Sequence, residues 1–370
     1  MAGEFQHKAV GEQLTQPEYE GAARHELNGQ AQGDVLYVNA TPDIVRLPAG
    51  LVGEVLGSGG PSANPLWVSN GRVNLLTNPG FEIWQRGTTF ADLAAYTADR
   101  WYGSAYDGSA PASGGLTISQ EYELHQDDYS EFSCKVVHDG TVTPEAHLLS
   151  QEIESPGTLT LSTLAQGGGL GDTALTFMAG VKVATANIVR LVIESESGGT
   201  WTEEAGFTVA EITSTFKRFS VTWSPTVAGK TGVRVGFKFL SGVTETVYLD
   251  NCSAAVGAGA IAYQPLPQAD EWARCLRYYE ILGDKAGTSI AFGGYTDAAR
   301  NLLYTMSFFP KAVVPTLTKE GTWSIINCGQ PIVSTPTKSQ LTIYAVSSGA
   351  GWTQFTADSV GERITIEANP

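Results

Sequence analysis

The chain has 370 residues, of which 42% are hydrophobic and only 16% are charged, and its formal net charge is −16. This acidic balance lacks the basic stripe with which nucleic-acid binders displace counterions from phosphates, and it disfavours binding to anionic membrane surfaces. No run of about 18 apolar residues occurs, and residues 1–11 lack the apolar core of a secretory signal, so we predict no membrane insertion and synthesis in a cytosol.

Turn-forming residues alternate with short β-prone segments along most of the chain. The 42 glycines and 17 prolines supply turns, and Val, Ile, Thr and aromatic residues fill the segments between them. We therefore predict a mainly β protein, and the length indicates two or three domains. The four cysteines, Cys134, Cys252, Cys275 and Cys328, form no CxxC pair, so we expect buried thiols rather than a zinc site or a disulfide framework.

Residues 1–70 contain too few apolar residues for a compact core and are predicted to be an attachment segment ordered by neighbouring proteins. A threonine that can cap and a proline in the first turn predict a short helix over residues 15–25. Two strands are predicted at Asp34–Val38 and Ile44–Leu47. Residues 50–65 are rich in Gly, Ser and Pro and are predicted to be an extended linker.

Residues 71–260 show the two-residue alternation of strands that bury one face. Apolar side chains alternate with polar ones in Leu175–Val183, Phe219–Trp223, Val233–Phe239 and Val247–Asp250. This period places one face in a core and the other in solvent, as in an antiparallel β-sandwich.

Residues 261–286 are predicted to be a connector with a short helix over Gln268–Leu282, after a stiff Gln264–Pro267 segment. Spacings of 3, 4 and 3 residues place one apolar seam along this helix. The seam consists of Ala269, Trp272, Leu276 and Tyr279. So short a helix must pack on something, either its own sandwich or the seams of two further copies in a homotrimer.

Residues 287–370 return to a β pattern and are predicted to form a second, smaller sandwich. The predicted strands are Leu302–Phe309, Thr322–Ile326, Leu341–Ala345 and Arg363–Ile366.

Three segments, in this order, resemble parts of tailed-bacteriophage fibre and spike proteins, from either tail or head. Residues 10–56 resemble N-terminal attachment segments, through VGEQLT, GDVLY and RLPAG. Residues 74–101, with NLLTNPGFEIWQRG and ADRW, resemble the start of a jelly-roll module similar to the carbohydrate-binding families grouped with xylanase accessory domains, and residues 247–252 match its closing strand. Residues 263–280 resemble the connector that follows this jelly roll.

The resemblance implies a non-enzymatic virion-surface subunit that adheres to host glycans. It implies a homotrimer, attached to a capsid or tail protein through residues 1–70. It also implies that Glu82 and Asp250 contribute oxygen ligands to a structural calcium ion, which prefers such ligands. The alternative for Glu82 is that it accepts hydrogen bonds from backbone or arginine donors. No cofactor is required.

Host-surface polysaccharide is the expected ligand, because sugar rings present apolar C–H faces that stack on exposed aromatic rings. The candidate platforms are Trp84, Trp101, Tyr102, Tyr106 and Trp201. Core packing is the favoured alternative for Trp84 and Trp101, because both lie in the jelly-roll-like motif.

No sequence motif for catalysis occurs: there is no GxSxG, HExxH, P-loop or dinucleotide-binding glycine pattern. Two alternatives to an adhesin remain open at this stage. One is a capsid decoration protein with a purely mechanical role. The other is a polysaccharide-degrading tailspike, which would need a carboxylate pair across its cleft.

Overall fold

A computed structural model gives the fold of most of the chain. It describes residues 31–41, 44–49, 54–57, 64–69, 74–91, 94–105, 115–122, 130–139, 147–154, 174–225, 230–240, 244–257, 263–283, 290–297, 301–334 and 336–369. The predicted helix over residues 15–25 lies outside these ranges. The chain divides into two compact units, residues 1–72 and 73–370.

The described residues of the first unit form two short antiparallel strand pairs. The two predicted strands are present as β1 (Val35–Val38) and β2 (Ile44–Leu47), which pair in an antiparallel ladder. Asp34 closes this hairpin, because its carboxylate accepts the amides of Ala31 at 2.7 Å and Ala49 at 2.9 Å. These amides, that of Ala31 foremost, hold the pKa of Asp34 below its ordinary value.

The prediction that residues 50–65 are an extended linker is wrong in part. Residues Glu54–Gly57 form strand β3, which pairs with β4 (Leu66–Ser69) in an antiparallel ladder. Because Gly, Ser and Pro dominate the residues around β3, composition alone did not predict this four-residue strand.

The second unit begins with a jelly-roll sandwich, in whose described residues there are twelve strands. In chain order they are β5 (Thr89–Ala91), β6 (Ala95–Tyr96), β7 (Tyr102–Ala105), β8 (Leu116–Glu121), β9 (Ser133–Asp139), β10 (His147–Glu152), β11 (Leu175–Val183), β12 (Val189–Ser197), β13 (Thr200–Thr208), β14 (Lys217–Trp223), β15 (Gly232–Phe239) and β16 (Thr244–Val256). One six-stranded sheet has the order β13-β12-β15-β10-β7-β6, and the other has the order β14-β11-β16-β9-β8-β5.

The predicted alternation is confirmed in the sandwich core. Along β14, Phe219, Val221 and Trp223 are buried and the residues between them are exposed. Strand β11 differs, because Thr176 and Met178, on the side predicted to face solvent, are also buried. This strand lies inside its sheet, between β14 and β16.

Helix α1 spans Gln268–Leu276 and is shorter than predicted. It ends early because Lys311 Nζ donates to the Leu276 carbonyl at 2.5 Å, and because the following tyrosines enter a sheet. Its covered residues are Glu271 and Cys275, one helical turn apart.

The predicted seam is therefore corrected. Tyr279 is not on the helix but begins strand β17, where it is buried. Ala269 and Trp272 are exposed, with Trp272 at 38%, and Leu276 is half-buried. Of the seam residues that stay on the helix, Ala269 and Trp272 are thus exposed to solvent and Leu276 is partly covered.

The C-terminal strands form three three-stranded antiparallel sheets around their own core. They are β17 (Tyr279–Gly283), β18 (Ile290–Thr296), β19 (Asn301–Ser307), β20 (Thr316–Glu320), β21 (Ser324–Ile326), β22 (Ile332–Ser334), β23 (Gln340–Val346), β24 (Gly351–Ala357) and β25 (Arg363–Glu367). The sheet orders are β17-β25-β20, β18-β24-β21 and β19-β23-β22. The four predicted strands correspond to β19, β21, β23 and β25. Within the described ranges, no helix is long and apolar enough to cross a membrane.

Candidate functional site

The outer face of the sheet that contains β6 and β13 carries charged and polar side chains. Leu149, Leu191, Val235 and Phe237 of this sheet are fully buried in the sandwich core. Because successive strand residues point to opposite faces, the residues between them lie on the outer side. We call this outer side the polar face.

A network of ion pairs lies on strands β12, β13 and β15 of the polar face. Lys238 Nζ lies 2.8 Å from both Glu194 Oε1 and Glu203 Oε2. Arg190 pairs with Glu203 at 2.8 Å, and Arg234 pairs with Glu194 at 2.6 Å. The five side chains come from three adjacent strands and fix one another, so their remaining hydrogen-bonding capacity is held in a defined arrangement.

Electrostatics keep this network charged. Burial would raise the pKa of Glu203, but hydrogen bonds from Lys238 and Arg190 outweigh it and hold that pKa below its ordinary value. Burial would lower the pKa of Lys238, yet its two glutamate partners raise it instead. Both groups are therefore ionised at neutral pH.

A row of small side chains runs beside the network. Ser150 lies opposite Gly236, which lies opposite Val192, which lies opposite Gly206. A Cβ at Gly236 would stand 2.3 Å from the carbonyl oxygen of Leu149, so no larger residue fits there. The Arg190–Glu203 pair lies over one end of the row, because a Cβ on Gly206 would stand 2.4 Å from both Arg190 Nε and Glu203 Oε1.

Two of the predicted aromatic platforms lie on this face. Tyr102 ends the row of small residues, opposite Ser150, and packs edge-on against Tyr96 with ring centroids 5.1 Å apart. Trp201 on β13 lies opposite Glu196 on β12, and the guanidinium carbon of Arg234 lies 4.3 Å from the centroid of the Trp201 ring. Both rings are half-buried. They stand on strands four places apart in the sheet, about 19 Å at the usual interstrand spacing.

Two of the other three candidates do not join them. Trp101 cannot be a sugar platform, because it is fully buried and its indole Nε1 donates to the carbonyl of Asn78 at 2.9 Å. Trp84 is half-buried against the core, where it stacks on Phe90 with ring centroids 6.3 Å apart. Tyr106 lies outside the described residues.

The motif around Trp101 has a structural role centred on Asn78. The Asn78 amide donates to the carbonyl of Ile83 at 2.8 Å and accepts the Ile83 amide at 3.0 Å. Asn78, Phe81 and Arg100 all adopt positive φ, which buried contacts of this kind must stabilise. The motif is thus a tightly determined loop.

The two residues implied as calcium ligands lie near one segment, residues 130–132. Glu82 Oε1 accepts the amide of Glu131 at 2.9 Å, and the fully buried Asp250 accepts the Ser130 hydroxyl at 3.3 Å. Glu82 therefore forms the backbone hydrogen bonds of the alternative interpretation. Among the described side chains, no three His, Cys, Asp or Glu are grouped as a metal site. A calcium ion here stays a prediction.

A cavity of about 210 Å³ lies next to Glu82, between the motif loop and the connector. Its walls include three carboxylates, those of Glu82, Glu131 and Glu271, and the side chain of Tyr263. Burial raises the pKa of Glu271, and its Oε1 accepts the amide of Asn78 at 2.5 Å. That carboxylate serves to join the helix to the loop.

Sequence reasoning missed the charged network, although its signal was present. Arg234 and Lys238 occupy the polar positions of a predicted strand, which places them on its outer face. Their glutamate partners lie on β12 and β13, and the pairing of these strands is not readable from an alternation pattern. Long-range register, rather than local sequence, assembles this site.

The sequence matches no protein-family model and no curated protein. The structure is similar to the CBM22-1 xylan-binding domain of Paenibacillus barcinonensis Xyn10C, at 12% identity over 51% of this chain and 97% of that chain, with a TM-score of 0.32. It is also similar to a CBM4 domain, at 17% identity over 48% and 97% of the two chains and a TM-score of 0.32.

A third similar structure is the enzymatically active domain of tailspike protein 4 of bacteriophage CBA120. The identity is 12%, the match covers 50% of this chain and 21% of that chain, and the TM-score is 0.32. Scores this low do not decide what the chain binds, and shared architecture does not imply shared function in any case. The side chains must decide it.

Proposed function

We propose that the chain is a subunit of a tailed-bacteriophage fibre or spike that adheres to host-surface polysaccharide through the polar face. One observation carries the binding part of this proposal. Trp201 and Tyr102 lie on one face of one sheet, on either side of a fixed network of charged donors and acceptors.

This arrangement suits a sugar chain chemically. Hydroxyl groups both donate and accept hydrogen bonds, so they can bind to guanidinium, ammonium and carboxylate groups in the same site. Aromatic rings at the ends of the face can stack on the apolar sides of sugar rings. Because the network is assembled by its own ion pairs, ordering it costs little at the moment of binding. The separation of the two rings accommodates several sugar units.

The virion part of the proposal has separate support. The attachment-like, jelly-roll-like and connector-like segments occur in the order found in phage fibres. In this proposal residues 1–70 attach the chain to a capsid or tail protein, and three copies associate on the virion surface. Weak sites repeated over three copies gain avidity through a high effective concentration.

Two measurements test this proposal. Antibody against the chain should label fibres or spikes on virions in electron micrographs, and the purified chain should bind a subset of glycans on a surface-polysaccharide array. A decoration protein would label the particle without any array signal. A depolymerase would release new reducing ends from the bound polysaccharide.

A further inference from the structure

The outer face of the sheet β18-β24-β21 presents two large aromatic side chains to solvent. Tyr295 on β18 and Trp352 on β24 are 77% and 54% exposed, and they lie directly opposite each other in the ladder. Cross-strand neighbours on one face have Cβ atoms about 5 Å apart, so the two rings form one surface. We call Tyr295, Trp352 and Gln354 the aromatic platform.

The backbone of the neighbouring strand supports Trp352. A Cβ placed on Gly293 would lie 2.8 Å from Cζ2 and 3.4 Å from Cε2 of the indole. The six-membered ring therefore crosses from β24 over Gly293 on β18, in a position that only a glycine allows. The ring lies across the sheet rather than extending freely from it.

Hydrogen bonds hold the indole in this position. Trp352 Nε1 donates to Gln354 Oε1 at 3.2 Å, and Gln354 Nε2 donates to Thr356 Oγ1 at 2.8 Å. The half-buried Gln354 keeps one amide hydrogen and one lone pair beyond these bonds. A flat ring is thus paired with a fixed amide beside it.

The platform is electrically neutral. None of the residues of β18, β21 and β24, all of which the structure describes, carries a charge. This distinguishes it from the polar face, where arginine, lysine and glutamate side chains dominate. A charged ligand would find no counter-ion on these strands.

We propose that the aromatic platform is a second glycan-binding site, separate from the polar face, and that it takes neutral hexopyranose chains. The apolar side of a sugar ring stacks on Trp352 or Tyr295, and the amide of Gln354 binds a ring hydroxyl. Exposed aromatic rings beside a fixed amide supply the two contacts that a neutral sugar needs, an apolar stacking surface and a hydrogen-bonding group.

Native affinity electrophoresis of the full-length chain tests this site, with xyloglucan, galactomannan and dextran as probes. The parent chain carries Trp201→Ala and Tyr102→Ala, so that the polar face contributes nothing. We expect at least one probe to retard this parent, and Trp352→Ala to weaken the retardation about tenfold or more, as for aromatic anchors of interfaces.

A matched pair of glycine variants tests the support of the ring. Gly293→Ala retains the indole but displaces it, and should weaken the retardation. Gly329→Ala introduces the same methyl group where nothing lies within 4 Å, and should have no effect. Thermal unfolding, followed by circular dichroism, is the control that checks whether all variants are folded.

Three results would overturn this inference. The first is retardation of the parent that survives Trp352→Ala, and the second is absence of retardation by all three probes. The third is a lower molecular mass of the Trp352→Ala chain in light scattering, which would assign the platform to a contact between copies. If the polar face does not bind these probes, the wild-type chain and the parent should be retarded equally. Loss of binding at the aromatic platform is instead measured by Trp352→Ala in the parent.

Discussion

The guanidinium carbon of Arg86 lies 3.6 Å from the centroid of the Tyr279 ring. This contact joins the jelly-roll-like motif to the first strand of the C-terminal sheets. Arg86 also pairs with Glu367 on β25 at 2.9 Å. Arg100 repeats the relationship, with its guanidinium 3.9 Å from the ring centroid of Tyr278. The two motif arginines thus hold two consecutive tyrosines that follow helix α1.

Replacement of Arg86 by lysine should weaken this junction although the charge is kept. A lysine cannot stack a planar group on Tyr279 while pairing with Glu367. We expect a loss of about 1–2 kcal/mol in the free energy of unfolding, measured by urea titration of tryptophan fluorescence. The same change at the exposed Arg218 is the control. Equal stability of the two variants would show that the stacking contributes nothing.

The buried Asp99 should make stability depend on pH between about 4 and 6. Burial raises the pKa of Asp99 from 3.8 to about 6, although Arg86 opposes the shift. The native state therefore holds this proton more tightly than the unfolded chain. The resulting stabilisation is complete below pH 4 and is lost as the pH rises through 6.

Asp99→Asn removes this titration, so the stability of the variant relative to wild type should rise with pH. The expected gain between pH 4 and pH 7 is about 2.4 kcal/mol, from the two pKa values of Asp99. Urea unfolding of both proteins at several pH values measures it. A difference that stays constant across this range would contradict the raised pKa.

Lys311→Met should destabilise the connector. The side chain of Lys311 is fully buried and lies 2.6 Å from Glu280 Oε2, and it also bonds the last carbonyl of the helix. Removal of the ammonium group leaves the Glu280 carboxylate without its cation, which should lower the free energy of unfolding by about 3 kcal/mol. Lys338→Met, at an exposed lysine that bonds the Ala312 carbonyl, should cost under about 1 kcal/mol. Similar melting curves for the two variants would refute this role.

In the trimer proposed above, Trp272→Asp should dissociate the copies to monomers, as measured by multi-angle light scattering. Trp272 is 38% exposed on the side of α1 that the chain's own sandwich leaves uncovered. A carboxylate there would be desolvated in a seam shared by three copies. Val360→Asp, at an apolar residue that is 74% exposed elsewhere, should leave the mass unchanged. A Trp272→Asp chain with unaltered mass would remove the helical seam as the trimer contact.

The sequence predicted the jelly-roll strands because their local pattern and their packing agree. Phe219, Val221 and Trp223 alternate in sequence and are buried in the structure. It did not predict β18, since Gly293 and Gly294 lower the strand propensity. Gly293 is present because Trp352 packs over it, a contact 59 residues away in the chain that no local pattern contains.

The end of helix α1 and the charged residues of the polar face were not predicted from sequence, and the reason is the same for both. Helical spacing continued through Tyr279, but contacts of Tyr279 with the distant Arg86 and β25 place it in a strand. Trp201 and Tyr102 could be selected as aromatic candidates from sequence, whereas the charged network between them depends on the register of three strands. The candidate residues could be predicted from sequence, but their assembly into one site could not.

Glycan binding at the polar face is tested most directly on a surface-polysaccharide array, with chains that all carry Trp352→Ala so that the aromatic platform cannot contribute. Addition of Trp201→Ala and Tyr102→Ala to such a chain should lower the signal of the bound glycans about tenfold or more. An undiminished signal, or no bound glycan before the two changes are made, would contradict an adhesive role for this face.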